Sequence, residues 1–92
     1  MKKIGVIVNT ANTYRQSEVV RVALGLTLMD DRVELIVLGR KLTRSKAVKK
    51  NLKLLGMMKG KAYSDNSENE LEPLSLEEIA KKLTEYDVVM PY

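Results

Sequence analysis

Along the chain, short continuous apolar runs alternate with longer segments of helical period. Ile4-Gly5-Val6-Ile7-Val8 is a β-branched run without polar interruption. It predicts a strand buried on both faces, as in a parallel sheet. A polar stretch, residues 9–14, follows, and then a helical segment from Gln16 or Ser17 to Met29, with Ser17 or Thr13 as its cap. At about 100° per residue, Val19, Val20, Val22, Ala23, Leu24, Leu26, Leu28 and Met29 sweep roughly 260° of that helix. A surface helix needs a much narrower stripe. A helix covered on two sides is therefore expected, with another subunit as the second cover and Val20, Leu24 and Leu28 at the interface.

Asp30-Asp31-Arg32 reads as a polar connection, residues 33–38 as the second strand and Gly39 as its end. Residues 43–55 predict a second helix, capped by Thr43 and stopped by Gly56. Its apolar stripe is Val48, Leu52 and Leu55; Lys46, Lys49, Lys50 and Lys53 line the opposite face. Residues 61–64 predict a brief third strand and residues 65–73 an acidic loop. Ser75 and Glu78 have the spacing of a capping box. That helix is expected to run to about Thr84 with Leu76, Ile79, Ala80 and Leu83 inward. Residues 86–90 predict a last strand, ended by Pro91. The order β-α-β-α-β-α-β places residues 1–92 in one α/β domain, an open, mainly parallel sheet flanked by helices.

Composition narrows the chemistry. Cys and His are both 0, which removes thiolate nucleophiles, the usual general base and the common zinc ligands. Trp and Phe are also 0, so the core is aliphatic. Most enzymes are disfavoured, no catalytic residue or metal site is assigned, and an enzyme here would have to run on Ser, Thr, Tyr, Lys or carboxylates. Lys and Arg number 16 against 12 for Asp and Glu, a net +4. The charges are segregated: residues 40–61 carry only basic charges, and residues 65–87 are mostly acidic. Two copies could pair these segments. The run of residues 4–8 is too short for a secretory core or a membrane span, so a cytoplasmic protein without a membrane partner is expected.

Two surfaces carry candidate binding chemistry. Asn9, Thr10, Asn12, Thr13 and Arg15 follow the first strand, where open α/β sheets bind ligands. Their hydroxyl, amide and guanidinium donors suit a small anion. This loop is similar to a flavodoxin phosphate loop, but it has no glycine between Val8 and Leu24 and the chain lacks aromatics for a flavin; no cofactor is expected. The second surface is the Lys46, Lys49, Lys50, Lys53 face. It suits polyanions, but without stacking aromatics any nucleic-acid binding is expected to be weak and non-specific.

The whole chain resembles the DsrE/DsrF/DsrH-like family, which includes subunits of the bacterial tRNA-thiolation sulfur relay. The resemblance is carried by residues 3–8, by Ser17-Glu18-Val19-Val20-Arg21-Val22-Ala23-Leu24-Gly25-Leu26, by residues 33–39, and by Leu76-Glu77-Glu78-Ile79-Ala80 with Tyr86-Asp87-Val88-Val89-Met90. It implies a DsrE-like, flavodoxin-like three-layer sandwich and a homo-oligomer: a dimer, trimer or hexamer. It also implies sulfur handling through a cysteine after the third strand. There this chain has Ser64, beside Asp65, and a serine cannot carry a persulfide. The resemblance thus implies an oligomer without persulfide chemistry, in a structural, regulatory or small-ligand-binding role, with Ser64 joining the first loop in a ligand site and a cysteine-bearing protein as partner. The alternative is a basic RNA- or anion-binding module.

Overall fold

The computed structural model describes residues 2–29 and 32–92; Asp30 and Asp31, read above as part of a polar connection, lie outside the described residues. Five strands form one parallel sheet in the order β4-β3-β2-β1-β5: β1 (Lys3–Val8), β2 (Arg32–Val37), β3 (Lys61–Ser64), β4 (Glu72–Pro73) and β5 (Val88–Pro91). Three helices complete the domain: α1 (Thr13–Thr27), α2 (Lys46–Met57) and α3 (Leu76–Leu83). The α/β sandwich expected from the sequence is thus the observed fold.

The alternation of side chains along each strand sorts the core into two halves. Val6, Val8, Leu35 and Val37 point to one face and pack with Val19, Val20 and Ala23 of α1 and Val48 and Leu55 of α2. Ile7 and Ile36 point to the other and pack with Tyr63, Leu74, Tyr86 and Ile79 of α3. Central β1 is buried from Ile4 to Val8, as its unbroken apolar run requires. Both edges carry a proline. Tyr92 donates to Ile7 O and accepts from Asn9 N, so Pro91 falls at the alternate position, where a backbone N–H would face away from the sheet.

Several boundaries differ from expectation. The cap of α1 is Asn12, whose side chain accepts from Arg15 N, so Thr13, Tyr14 and Arg15 are helical rather than loop. The cap of α2 is Ser45, which accepts from Val48 N, not Thr43. Gly56 lies inside α2; the chain turns at Lys59, with φ 66°, and Gly60. A Cβ on Gly60 would lie 2.6 Å from Leu55 Cδ1, so the close turn requires glycine. The acidic loop contains a 3-10 turn (Ser67–Asn69) and the two-residue β4. The capping box is as read, but Leu76 is 66% exposed and Ala80 is exposed, leaving Ile79 as the buried anchor of α3. The eight residues of α3 thus hold to the sheet through Ile79, half-buried Leu83 and a set of polar contacts.

Those contacts converge on Glu34 of β2. Its Oε1 accepts from Tyr86 Oη at 2.7 Å and from Lys82 Nζ at 3.2 Å, and the Lys82 ammonium lies 4.6 Å from the Tyr63 ring centroid. Tyr86 also fills the space beside Gly5, where a Cβ would lie 2.4 Å from its ring. Burial raises the Glu34 pKa, but the hydrogen bonds from Tyr86 and Lys82 and the charges of Lys82 and Lys3 outweigh it, leaving the carboxyl below its ordinary value of 4.5. Burial and the bond to Glu34 push the Tyr86 hydroxyl up. For Lys82 burial acts downward, and Glu34 and Tyr63 outweigh it to hold the ammonium above its ordinary value.

The signs define a pH window. The Glu34 contribution is full above its unfolded pKa and is lost as pH falls through the lower folded value; those of Tyr86 and Lys82 are full below their unfolded values and are lost as pH rises through the higher folded ones. Glu34→Gln is expected to cost about 1–3 kcal/mol near neutral pH, because a charged acceptor shared by two donors is replaced by a neutral one. The variant should also lose part of the acid-side slope of stability. Urea melts of both proteins between about pH 3 and pH 7 measure this; equal stability at neutral pH would reject it.

Candidate ligand site at the carboxyl ends of the strands

The loops that leave β1, β2 and β3 are tied together by two side-chain amides. Gln16, 1% exposed on α1, donates from Nε2 to Thr10 O (2.8 Å) and Lys41 O (3.2 Å) and accepts on Oε1 from Thr43 N (2.8 Å). Asn69 does the same from the other side. It donates to Arg40 O (2.9 Å) and Ser64 Oγ (2.8 Å) and accepts from Leu42 N (2.7 Å). Gly39, at φ 67°, donates its N–H to Asp65 Oδ1 at 2.8 Å. The segment from Gly39 to Thr43 has no regular backbone partners, and these side chains supply them.

The residues expected to bind a ligand fall into two groups. Asn9, Thr10, Asn12, Thr13 and Arg15 are brought together at the end of β1. Within that group, Thr10 Oγ1 accepts from Asn12 N (3.2 Å) and Asn12 Oδ1 from Arg15 N, so these two oxygens serve the turn into α1. Outward chemistry is left to Asn9, Thr13 and Arg15, with Arg40, whose Nε donates to Asn9 O at 3.1 Å. The Arg15 guanidinium lies 5.7 Å from the Tyr92 ring centroid. Guanidinium and amide donors of this kind at the end of a parallel strand suit non-covalent binding of a small anion.

Ser64 stands apart. It lies on β3, with β2 between it and β1, which places it about 10 Å across the sheet. It is 1% exposed. Its hydroxyl donates to Val37 O (2.9 Å) and accepts from Asn66 N (3.0 Å) and Asn69 Nδ2. One donor and two acceptor positions are the whole capacity of a hydroxyl, so nothing remains for a ligand.

Sequence reasoning missed Gln16, Asn69 and Arg40. Gln16 carried a readable signal: residues 16, 19, 20, 23 and 27 are the buried set of α1, one helical stripe, and a glutamine in that stripe must find partners. Asn69 carried none, since its role depends on how the 65–73 segment folds back.

The other two candidate surfaces are distributed as follows. Lys46, Lys49, Lys50 and Lys53 are exposed on α2 and form no ion pair among the described residues. The basic and acidic segments instead meet within the chain, Lys41 with Glu68 (3.8 Å) and Arg44 with Glu70 (3.7 Å). Of the three positions expected at an interface, Val20 is fully enclosed in the chain's own core, Leu24 is half-buried and Leu28 is 68% exposed. Among the described residues no helix is long and apolar enough to cross a membrane, and no group of three acidic or other ligating side chains could hold a metal ion.

Comparison with solved structures finds the same fold in the crystal structure of the ychN protein from E. coli, with a TM-score of 0.79 and 16% sequence identity over 100% of both chains. No protein-family model matches the sequence, and no curated protein does.

The hydrogen bonds of Ser64 generate a direct test. Ser64→Ala removes one donor and one double acceptor, stranding Val37 O, Asn66 N and Asn69 Nδ2 under the β2–α2 loop. The expected loss is about 1–3 kcal/mol in denaturant melts, with faster amide exchange at Leu42 and Thr43. A variant as stable as the parent would show that the serine does not brace the loop.

Proposed function

We propose that this chain is a DsrE-like subunit that works without persulfide chemistry, as a structural, regulatory or small-ligand-binding member of a sulfur-relay-type assembly. The observation that carries this reading is Ser64 at the end of β3. Where the family resemblance implies a reactive thiol, this chain holds a hydroxyl that is buried and committed to three hydrogen bonds. A persulfide needs a thiolate that can attack a sulfur donor, and these 92 residues contain no cysteine. The fold shared with ychN over the full length of both chains supports the reading at the level of architecture. In it, the protein is cytoplasmic and its partner is a cysteine-bearing protein. The loop of Asn9, Thr13 and Arg15 with Arg40 holds a small anion non-covalently.

Assembly belongs to the same reading. Tyr14 (74% exposed) and Val22 on α1, with Glu18 and Arg21 beside them, and Leu28 and Met29 (73% exposed) just past its end, face outward. Large exposed apolar side chains on a small domain favour a homo-oligomer, a dimer, trimer or hexamer. The contact moves outward from Val20 to Val22 and Leu28, with half-buried Leu24 at its margin.

A second reading, a basic RNA- or anion-binding module, is favoured by one observation, the four exposed lysines of α2 that form no ion pair among the described residues. Lysine contacts to phosphates predict non-specific binding that falls steeply with salt; binding that survives high salt would promote this reading over the first.

Two experiments test the main reading. In the first, the protein is incubated with a cysteine desulfurase and labelled cysteine, with and without thiol-bearing candidate partners. The expected result is label on the partner, accumulating faster when this chain is present; label bound covalently to this chain, or no effect on any partner, rejects it. In the second, light scattering is expected to find an oligomer at tens of micromolar for the parent and smaller species for Leu28→Asp. A monomeric parent rejects the assembly.

A further inference from the structure

A cleft of about 270 Å³, separate from the Asn9–Arg15 loop, opens between the first half of α2 and residues 69–71. Leu42, Val48, Leu52 and Leu71 line it with aliphatic surface. Leu42 and Val48, 5% and 1% exposed, close its floor, and half-buried Leu52 and Leu71 form its walls. Arg44, Lys49 and Glu70 stand at the mouth. Apolar walls and two cations thus meet in one cleft.

The mouth already accommodates a carboxylate. Glu70 Oε1 lies 3.7 Å from Arg44, beyond hydrogen-bonding distance, with both side chains more than half exposed. Such a pair is weak and displaceable. Glu70 is also held at φ 55° and ψ 25°, a left-handed conformation that residues with side chains seldom adopt. Strained positions of this kind cluster at ligand sites. Lys49 has no ion-pair partner among the described residues. The volume lies at the small end of ligand pockets.

We propose that this cleft binds a small aliphatic carboxylate. The hydrocarbon chain lies against Leu42, Val48, Leu52 and Leu71, and the carboxylate lies between Lys49 and Arg44 in the place that Glu70 now approaches. Apolar walls supply the attraction, and the excess of two cations over one anion selects the charged head. The site is independent of any role in sulfur transfer.

The test is a titration of the full chain with sodium octanoate, followed by the methyl resonances of the four aliphatic residues, with octanol as the uncharged control. Octanoate is expected to shift the cleft methyls and to bind roughly three- to fivefold more tightly than octanol, the range that one exposed charge pair provides. Lys49→Gln should weaken octanoate by a similar factor and leave octanol unchanged. Glu70→Gln should tighten octanoate, because the competing carboxylate is gone. Both positions are exposed, so both variants fold. Shifts confined to Tyr14, Val22, Leu28 and Met29, or equal affinity for octanoate and octanol, would overturn the proposal. Octanoate binding unmoved by Lys49→Gln would do the same. Cleft methyls that shift with protein concentration alone would give the cleft to a second copy of the chain and overturn it as well.

Discussion

The architecture at the carboxyl ends of the strands depends on one constraint: a loop without regular backbone pairing must find partners for its backbone, above all where Leu42 takes it into the core. The segment from Gly39 to Thr43 crosses over the ends of the central strands, where water cannot serve every N–H and C=O. Gln16 reaches it from α1 and Asn69 from the 65–73 segment, each with two donated bonds and one accepted. An amide is the one neutral side chain that can donate twice and accept at the same time. A carboxylate could not donate, and an ammonium could not accept.

This clasp decides what the neighbouring residues can do. Asn69 needs Ser64 as its second acceptor, and Ser64 needs Val37 O as its own, so the hydroxyl is consumed by a chain of bonds running from β2 to the 3-10 turn. Such chains are stable when complete and costly when one member is lost. The same bond from Leu42 N fixes the floor of the cleft, because it seats Leu42 beneath the first turns of α2. Rigidity on one side of the loop therefore defines two surfaces on the other: an anion-friendly rim at Arg15 and Arg40, and an aliphatic cleft under Arg44.

Much of the fold was legible because its signals are local. The apolar run of residues 4–8, the second strand, the short Lys61–Ser64 strand and the Ser75–Glu78 capping box all follow from neighbours within a few positions. Helix starts were less legible, since Asn12, Thr13 and Ser17, or Thr43 and Ser45, are each competent caps, and tertiary contacts choose between them. For α2 the cap is Ser45, whose Oγ accepts from Val48 N, while Thr43 belongs to the loop that Gln16 holds. The wide apolar arc on α1 is divided in the structure: Val19, Val20 and Ala23 pack in the core, Leu24 and Leu26 are half-buried, and Val22, Leu28 and Met29 are exposed. The candidate site was half legible. The β1–α1 loop lies where a parallel sheet places ligands, but the isolation of Ser64 depends on a strand order that adjacent residues do not encode.

Charge segregation in the sequence has a structural explanation that also bears on partners. The basic segment ends near β3 and the acidic one begins there, so the fold brings Lys41 and Arg44 against Glu68 and Glu70 within one molecule. Arg44 adds a bond to Glu68 O. These exposed pairs contribute little energy each, yet they neutralise the rim of the β2–α2 loop. What they leave is the outer face of α2, four lysines in no ion pair among the described residues. Four of the chain's basic side chains are thus gathered on one helix, while the exposed apolar side chains Tyr14 and Val22 belong to its neighbour α1. Charge, which acts at a distance, and apolar area, which acts only on contact, therefore fall on different helices of the same layer.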